Sequence, residues 1–212
     1  MSRWESVDFN AVVLSGGRSS RLGGTPKAGL RLDGHTLLDL ACQAAGAAKR
    51  VVVVGPASDE DQGDSAGAGS GVGGREFVSE SPRFGGPAAA LAAAVDHLAQ
   101  DATQWLLVLA CDMPRIAAAI PELLAAVAED PGYSVLAHDG ERDQPLAAVY
   151  SLAALRTAIE VVESSGGVQN LSMKALLARV QWRAIDVPQG STADVDTWAD
   201  AQNLGVSGAA PT

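Results

Sequence analysis

Aromatic residues are scarce in this 212-residue chain, at 4% of the composition, too few to build a core around large rings. Its 47% apolar content rests heavily on alanine and valine, which points to fine-grained packing of helices on a sheet. Cysteine is nearly absent: Cys42 and Cys111 match no disulfide framework and are expected to be buried free thiols in a reducing compartment. The three histidines lie far apart, and no Cys/His grouping has zinc spacing. No apolar run approaches the length of a membrane span. The N-terminus has no basic-then-apolar secretion pattern, so a cytoplasmic protein without membrane contact is expected. Positive charge is also in deficit, with 15 Lys and Arg against 25 Asp and Glu and a net charge of −10. A chain this acidic repels polyphosphate backbones, which excludes nucleic acid as a general partner. Any phosphate it binds must be met by a local cluster of cations and backbone amides.

What is present is an alternation of short apolar runs with longer, alanine-rich helical segments. Phe9–Leu14, Arg50–Val54, Glu76–Ser79, Trp105–Ala110, Tyr133–Ala137, Pro145–Tyr150 and Trp182–Val187 read as strands. Thr36–Ala48, Pro87–Ala99, Ile120–Ala128, Leu152–Glu163, Leu171–Val180 and a segment from Thr197 read as helices, with Thr36 as an N-cap and Pro87 in a first turn. Continuous apolar strands separated by helices predict a three-layer α/β/α sandwich with a mostly parallel, Rossmann-like sheet and right-handed crossovers. Residues 1–212 fit a single domain. Within it, the glycine-rich stretch 63–74 is expected to be a flexible surface loop and 205–212 a frayed tail. In such sheets ligands bind beyond the carboxyl ends of the strands, so the segments following each strand become the candidate sites.

Five of those segments carry chemistry. LSGGRSSRLGGTPK, Leu14 to Lys27, places a glycine pair directly after a strand, where amides can approach phosphate oxygens with no Cβ in the way. Arg18, Arg21 and Lys27 add three cations that can stabilise charge building on phosphoryl oxygens. The spacing fits neither GxxxxGK[ST] nor GxGxxG. WLLVLACDMP ends the strongest strand with Asp112, which is placed either to hold a hard cation such as magnesium or to cap the next helix. In STADVDTWAD, Asp194 and Asp196 could add a second carboxylate to that cation, or Asp196 or Thr197 could cap the last helix. HDGERDQP, His138 to Pro145, reads either as a plain hairpin turn around Asp139-Gly140 or as a charged segment suited to recognising an anionic, hydrogen-bonding substrate. SPRFGGPAAAL opens a helix with free N–H groups, and Glu80 to Arg83 could line a base pocket.

Taken together, these segments resemble the molybdenum cofactor guanylyltransferases, within the glycosyltransferase-A-like nucleotidyltransferases. LSGGRSSRLGGTPK is similar to that family's LAGG-x-x-x-RMGG-x-x-K signature, with Ser15 for alanine and Leu22 for methionine. VLACDMP resembles its CD-x-P motif, FGGPAAAL its GPLAGM-like helix start, and HDGERDQPLAAVY its substrate-side segment. The resemblance implies transfer of GMP from GTP to the terminal phosphate of molybdopterin, with magnesium as cofactor and molybdoenzymes or their chaperones as further partners. It implies that Leu14, Ser15 and Gly16 contact the nucleotide, Lys27 its phosphates and Asp112 the metal. The residues themselves add Gly17 and Arg18 to the nucleotide contacts, Lys27, Arg21 and Asp112 as the catalytic set, and Asp196 as a second candidate metal ligand. Glu80 falls where the family has an aspartate beside guanine, and Asp143 and Gln144 fall on the acceptor side. Two departures weaken the base assignment. The family's asparagine after its second strand aligns with Val54 or Gly55, and its NVNT appears as DVDT. The alternatives are a CTP-dependent relative and a non-catalytic nucleotide-binding partner of molybdoenzymes.

Overall fold

Nine strands and six α-helices follow one another in a computed structural model, which describes residues 6–17, 19–55, 74–81 and 84–208, with only the backbone of residue 20. The strands are β1 (Phe9–Leu14), β2 (Arg31–Leu32), β3 (His35–Thr36), β4 (Val51–Val54), β5 (Arg75–Val78), β6 (Trp105–Ala110), β7 (Ser134–His138), β8 (Asp143–Ser151) and β9 (Trp182–Asp186). The helices are α1 (Leu37–Ala44), α2 (Pro87–His97), α3 (Ile120–Glu129), α4 (Leu152–Ser164), α5 (Met173–Leu177) and α6 (Trp198–Leu204). Seven strands form one sheet in the order β5-β4-β1-β6-β8-β7-β9. Only β8 runs antiparallel to its neighbours, pairing with β6 on one side and β7 on the other. The mostly parallel sheet is therefore as expected from the unbroken apolar strands.

Alternation along each strand divides the core into two layers. In β1, Phe9, Ala11 and Val13 join Leu38 and Cys42 of α1 and Leu123 of α3 on one face. Val12 and Leu14 face Leu91 of α2, Leu155 of α4 and Leu176 of α5 on the other. Because β1, β4 and β6 are covered on both sides, every position in them is buried. Cys42 and Cys111 are buried free thiols. Among the described residues, no helix is long and apolar enough to cross a membrane.

Several boundaries differ from the sequence expectation for local reasons. Helix α1 starts where expected, on a capping box in which Thr36 accepts from the Asp39 amide and Asp39 reaches back. It stops at Ala44 and closes with turns into Gly46 rather than reaching Ala48. Helix α5 is trimmed because Ser172 serves as its N-cap. The small β2–β3 hairpin was not foreseen, although Asp33 and Gly34, at φ 51° and 85°, form the two-residue turn that Asp-Gly favours. Residues 63–73 of the glycine-rich stretch and 209–212 of the tail lie outside the described residues. Of the segment expected to fray, Gly205–Gly208 is seated: Val206 is buried, and Ser207 exchanges two backbone hydrogen bonds with Arg31.

The amino-terminal ends of the strands carry an ion-pair network. Arg50, just before β4, makes a two-point contact with Glu76 of β5, and His97 at the end of α2 meets the same carboxylate at 2.8 Å. Asp101 pairs with Arg50 at 3.5 Å. The Arg50 hydrogen bonds hold the Glu76 carboxyl at about 2, against an ordinary 4.5. A carboxylate so depressed stabilises the fold above its unfolded pKa, and that stabilisation disappears as pH falls through the folded value. The thermal midpoint should therefore fall as pH drops from about 4.5 to about 2. Glu76→Gln should flatten that dependence and lower the midpoint at neutral pH. An unchanged slope in circular-dichroism melts of the variant would contradict this assignment.

Candidate active site

At the opposite, carboxyl ends of the strands lies an open cavity of about 470 Å³. It is built outward from β1. Beyond Leu14 the chain turns because the Ser15 amide and hydroxyl both donate to the Val54 carbonyl, at 2.9 and 3.2 Å. That turn presses against Gly55, where an added Cβ would lie 2.2 Å from the Ser15 hydroxyl. No side chain fits there, so the position after β4 offers the cavity backbone only. Gly16 and Gly17 are different. They are exposed, and a Cβ on either would meet nothing within 4 Å. The fold does not require glycine at these two places, and the space above them is open.

The rest of the loop is held by a third apolar cluster. Leu22 is buried with Leu30, Leu37, Val195, Ala201 and Val206, which pins the basic loop to α6. With Leu22 turned inward, neighbouring Arg21 faces out and reaches Asp196 at 3.3 Å. Lys27 opens a 3₁₀ turn after Pro26, and its ammonium lies 2.8 Å from Asp112 Oδ2 and 2.5 Å from Asp196 Oδ1. Asp112 follows β6, and its carbonyl accepts from the Val195 amide at 3.0 Å, which ties the DVDT segment to the strand end. Asp196 does not cap α6. Thr197 does, in a capping box with Asp200, and this leaves the Asp196 carboxylate to Lys27 and Arg21.

These contacts set the charge states. Partial burial pulls the Lys27 pKa down, but the hydrogen bonds and charges of Asp112 and Asp196 outweigh it, so the net shift is upward. The Lys27 contact lowers Asp196. Asp194 is raised by burial and by the charges of Asp112 and Asp196, although Arg142 lies 3.6 Å away. Burial, and the charge of neighbouring Asp112, push the Cys111 thiol up and favour its protonated form.

The cavity gathers most residues singled out from sequence: Leu14, Ser15, Gly16, Gly17, Arg21, Lys27, Glu80, Asp112 and Asp196 all line it. Arg18 lies outside the described residues. Asp143 and Gln144 are not among the lining residues. Asp143 pairs with His138 at 2.9 Å on the hairpin, and buried Gln144 donates to Asp139 at 2.6 Å. Asp139 also accepts from the Glu141 and Arg142 amides, and despite burial these bonds hold it at about 2. It is the residue that shapes the hairpin tip, and sequence reading treated it only as part of a turn. Phe84 and Leu146 were also missed. Leu146 lies in an irregular stretch of β8, where the register to β7 slips between Leu136 and Ala137, a displacement that leaves no mark in the residue pattern.

A basic glycine loop after the first strand, a carboxylate ending the central strand and a cavity across both define a nucleotidyltransferase. The chain belongs to the MobA-like NTP transferase family, whose domain model matches residues 11–181. It is 34% identical over 190 residues to a probable molybdenum cofactor guanylyltransferase of Opitutus terrae, covering 88% of each chain. It is 29% identical over 142 residues to the molybdenum cofactor guanylyltransferase of Shewanella sp. strain MR-4, covering 66% of this chain and 68% of that one. Among solved structures, it is similar to molybdopterin-guanine dinucleotide biosynthesis protein A from Archaeoglobus fulgidus, with a TM-score of 0.63 at 22% identity over 92% of this chain and 95% of that one. The 2-C-methyl-D-erythritol 4-phosphate cytidylyltransferase of Francisella tularensis superposes with a TM-score of 0.69 at 11% identity, over 93% and 98% of the two chains. These two structural likenesses concern the fold.

The two kinds of glycine separate folding from binding. Gly55→Ala should destabilise the fold by about 1–3 kcal/mol through overpacking against Ser15. Gly16→Ala should change stability by less than about 0.5 kcal/mol, because its Cβ meets open space. Denaturant titrations of both variants decide it, and equal losses would contradict the reading of Gly16 as kept for a ligand.

Proposed function

We propose that the protein transfers GMP from GTP to the terminal phosphate of molybdopterin, releasing pyrophosphate and forming a guanine dinucleotide form of the cofactor. The observation that carries the reading is the meeting of Lys27 with Asp112 and Asp196 at the mouth of the glycine loop. The molybdenum cofactor guanylyltransferase relatives supply the choice of substrates. An acceptor phosphate oxygen forms a bond to the α-phosphorus of GTP as the bond from that phosphorus to the β-phosphate oxygen breaks. No side-chain nucleophile is required, since the acceptor is itself the nucleophile.

The chain's own residues position and neutralise. Backbone amides at Gly16 and Gly17 face the phosphates, Lys27 and Arg21 offset charge on the transferred group, and Glu80 lies at the base end. A magnesium ion fits the donor set. Asp112 and Asp196 converge on one cationic position, and no third His, Cys, Asp or Glu closes it among the described residues. Magnesium typically takes one or two carboxylates and fills its shell with phosphate oxygens and water. When bound, it would supply charge neutralisation on the phosphates. The acceptor is assigned to the hairpin side, with Gln144 acting through Asp139 and Asp143 at the more exposed position.

A ligand bound only by the folded state raises the melting temperature. The wild-type chain with magnesium should therefore show a selective upward shift with GTP over CTP, ATP and UTP. A CTP preference would move the function to a cytidylyl reaction, which the absence of a side chain at Gly55 leaves open, and no shift with any nucleotide would overturn the proposal. In the full assay with molybdopterin, Asp112→Ala should fold normally and lose dinucleotide formation by orders of magnitude. Near-wild-type turnover would refute the role given to Asp112.

A further inference from the structure

We propose that Phe84 is the stacking platform for the nucleobase, supplying affinity for the base whichever base it is, while Glu80 beside it discriminates. This rests on the nucleotide-binding reading above. Phe84 is one of only three phenylalanines, yet it is 55% exposed on the rim of the cavity. Its backbone sits at φ 65°, a region that L side chains with bulk adopt only when the surroundings impose it.

The surroundings here do impose it. Glu80 Oε1 accepts the Phe84 amide at 2.7 Å. Next in the chain, Gly85 is wedged so closely that an added Cβ would meet Gln169 Oε1 at 2.5 Å and Ala89 Cβ at 2.9 Å. The Asn170 amide donates to the Gly85 carbonyl at 2.7 Å, and Gly86, at φ 91°, leads into α2. The ring is thus held from a clamped loop. Among the described residues, the second carboxylate oxygen of Glu80 is buried without a hydrogen-bond partner, although the residue borders the same cavity.

Sheet order places this pair at the far end from the phosphate chemistry. Glu80 and Phe84 follow β5, Asp112 follows β6, and β4 and β1 lie between. Three strand spacings amount to about 14 Å, enough to seat a nucleoside at one end and a triphosphate at the other. Stacking on an aromatic face tolerates any base, because every base has a π-face. Phe84 therefore contributes strength and Glu80 selectivity.

The test is calorimetric binding of GTP, CTP and inorganic tripolyphosphate to the full chain with magnesium. Phe84→Ala should weaken both nucleotides about tenfold, equal to about 1.4 kcal/mol, and leave tripolyphosphate unchanged. Phe84→Trp should restore nucleotide affinity and show indole fluorescence quenched by either nucleotide. Phe84→Gly should melt at or above the wild-type temperature, since glycine accepts the positive φ, while binding nucleotide as poorly as the alanine variant. Wild-type nucleotide affinity in Phe84→Ala, or parallel loss of tripolyphosphate, would overturn the stacking role alone. Failure of the wild type to bind any nucleotide would overturn the parent reading with it.

Discussion

One ammonium group between two carboxylates organises this end of the molecule. Lys27 comes from the loop after β1, Asp112 from the end of β6 and Asp196 from the segment before α6, so the pair of contacts ties together segments 85 and 169 residues apart. Side chains that carry opposite charges at half-buried positions hold each other ionised, and the upward shift of Lys27 and the downward shift of Asp196 both express this. The same arrangement defines a cationic position facing an otherwise acidic surface.

Support for that site is divided between two ends of the sheet. The Arg50–Glu76–His97 network at the amino-terminal end is remote from the cavity and serves the fold. The carboxyl-terminal end carries irregular features that have no benefit for folding alone: exposed glycines at 16 and 17, a phenylalanine at positive φ, and half-buried Asp194 raised by its acidic neighbours. Strain and like charge are tolerated there because Leu22, Gly55 and Gly85 fix the surrounding backbone by close packing. Rigid placement of poorly satisfied groups is what lets a site act on a ligand rather than rearrange around it.

The layers and the mostly parallel character of the sheet were legible because unbroken apolar strands such as Val51–Val54 are covered on both faces. The site was legible for a related reason. Strand ends mark where ligands bind, so Lys27 and Asp112, which line the cavity, could be proposed from position and residue type, while Leu14 came from the family resemblance. What escaped were features fixed by tertiary contact. That Gln144 turns inward to Asp139 depends on how the hairpin tip folds back on itself, and that Asp196 faces Lys27 while Thr197 caps α6 could not be separated when both were candidates for the cap. Phe84 escaped because its backbone angle is imposed by Glu80 and the 169–170 segment, neither of which is near enough in the residue pattern to reveal it.

The proposal at the centre of this account is that a divalent cation and the Lys27 ammonium compete for the position between Asp112 and Asp196. Titration of Mn²⁺, followed by its electron paramagnetic resonance signal, measures that competition directly in the wild type and in Lys27→Met without nucleotide. Removing the ammonium should tighten metal binding, because two carboxylates are then left facing one another with no counter-charge. Unchanged or weaker metal binding in Lys27→Met would contradict the account.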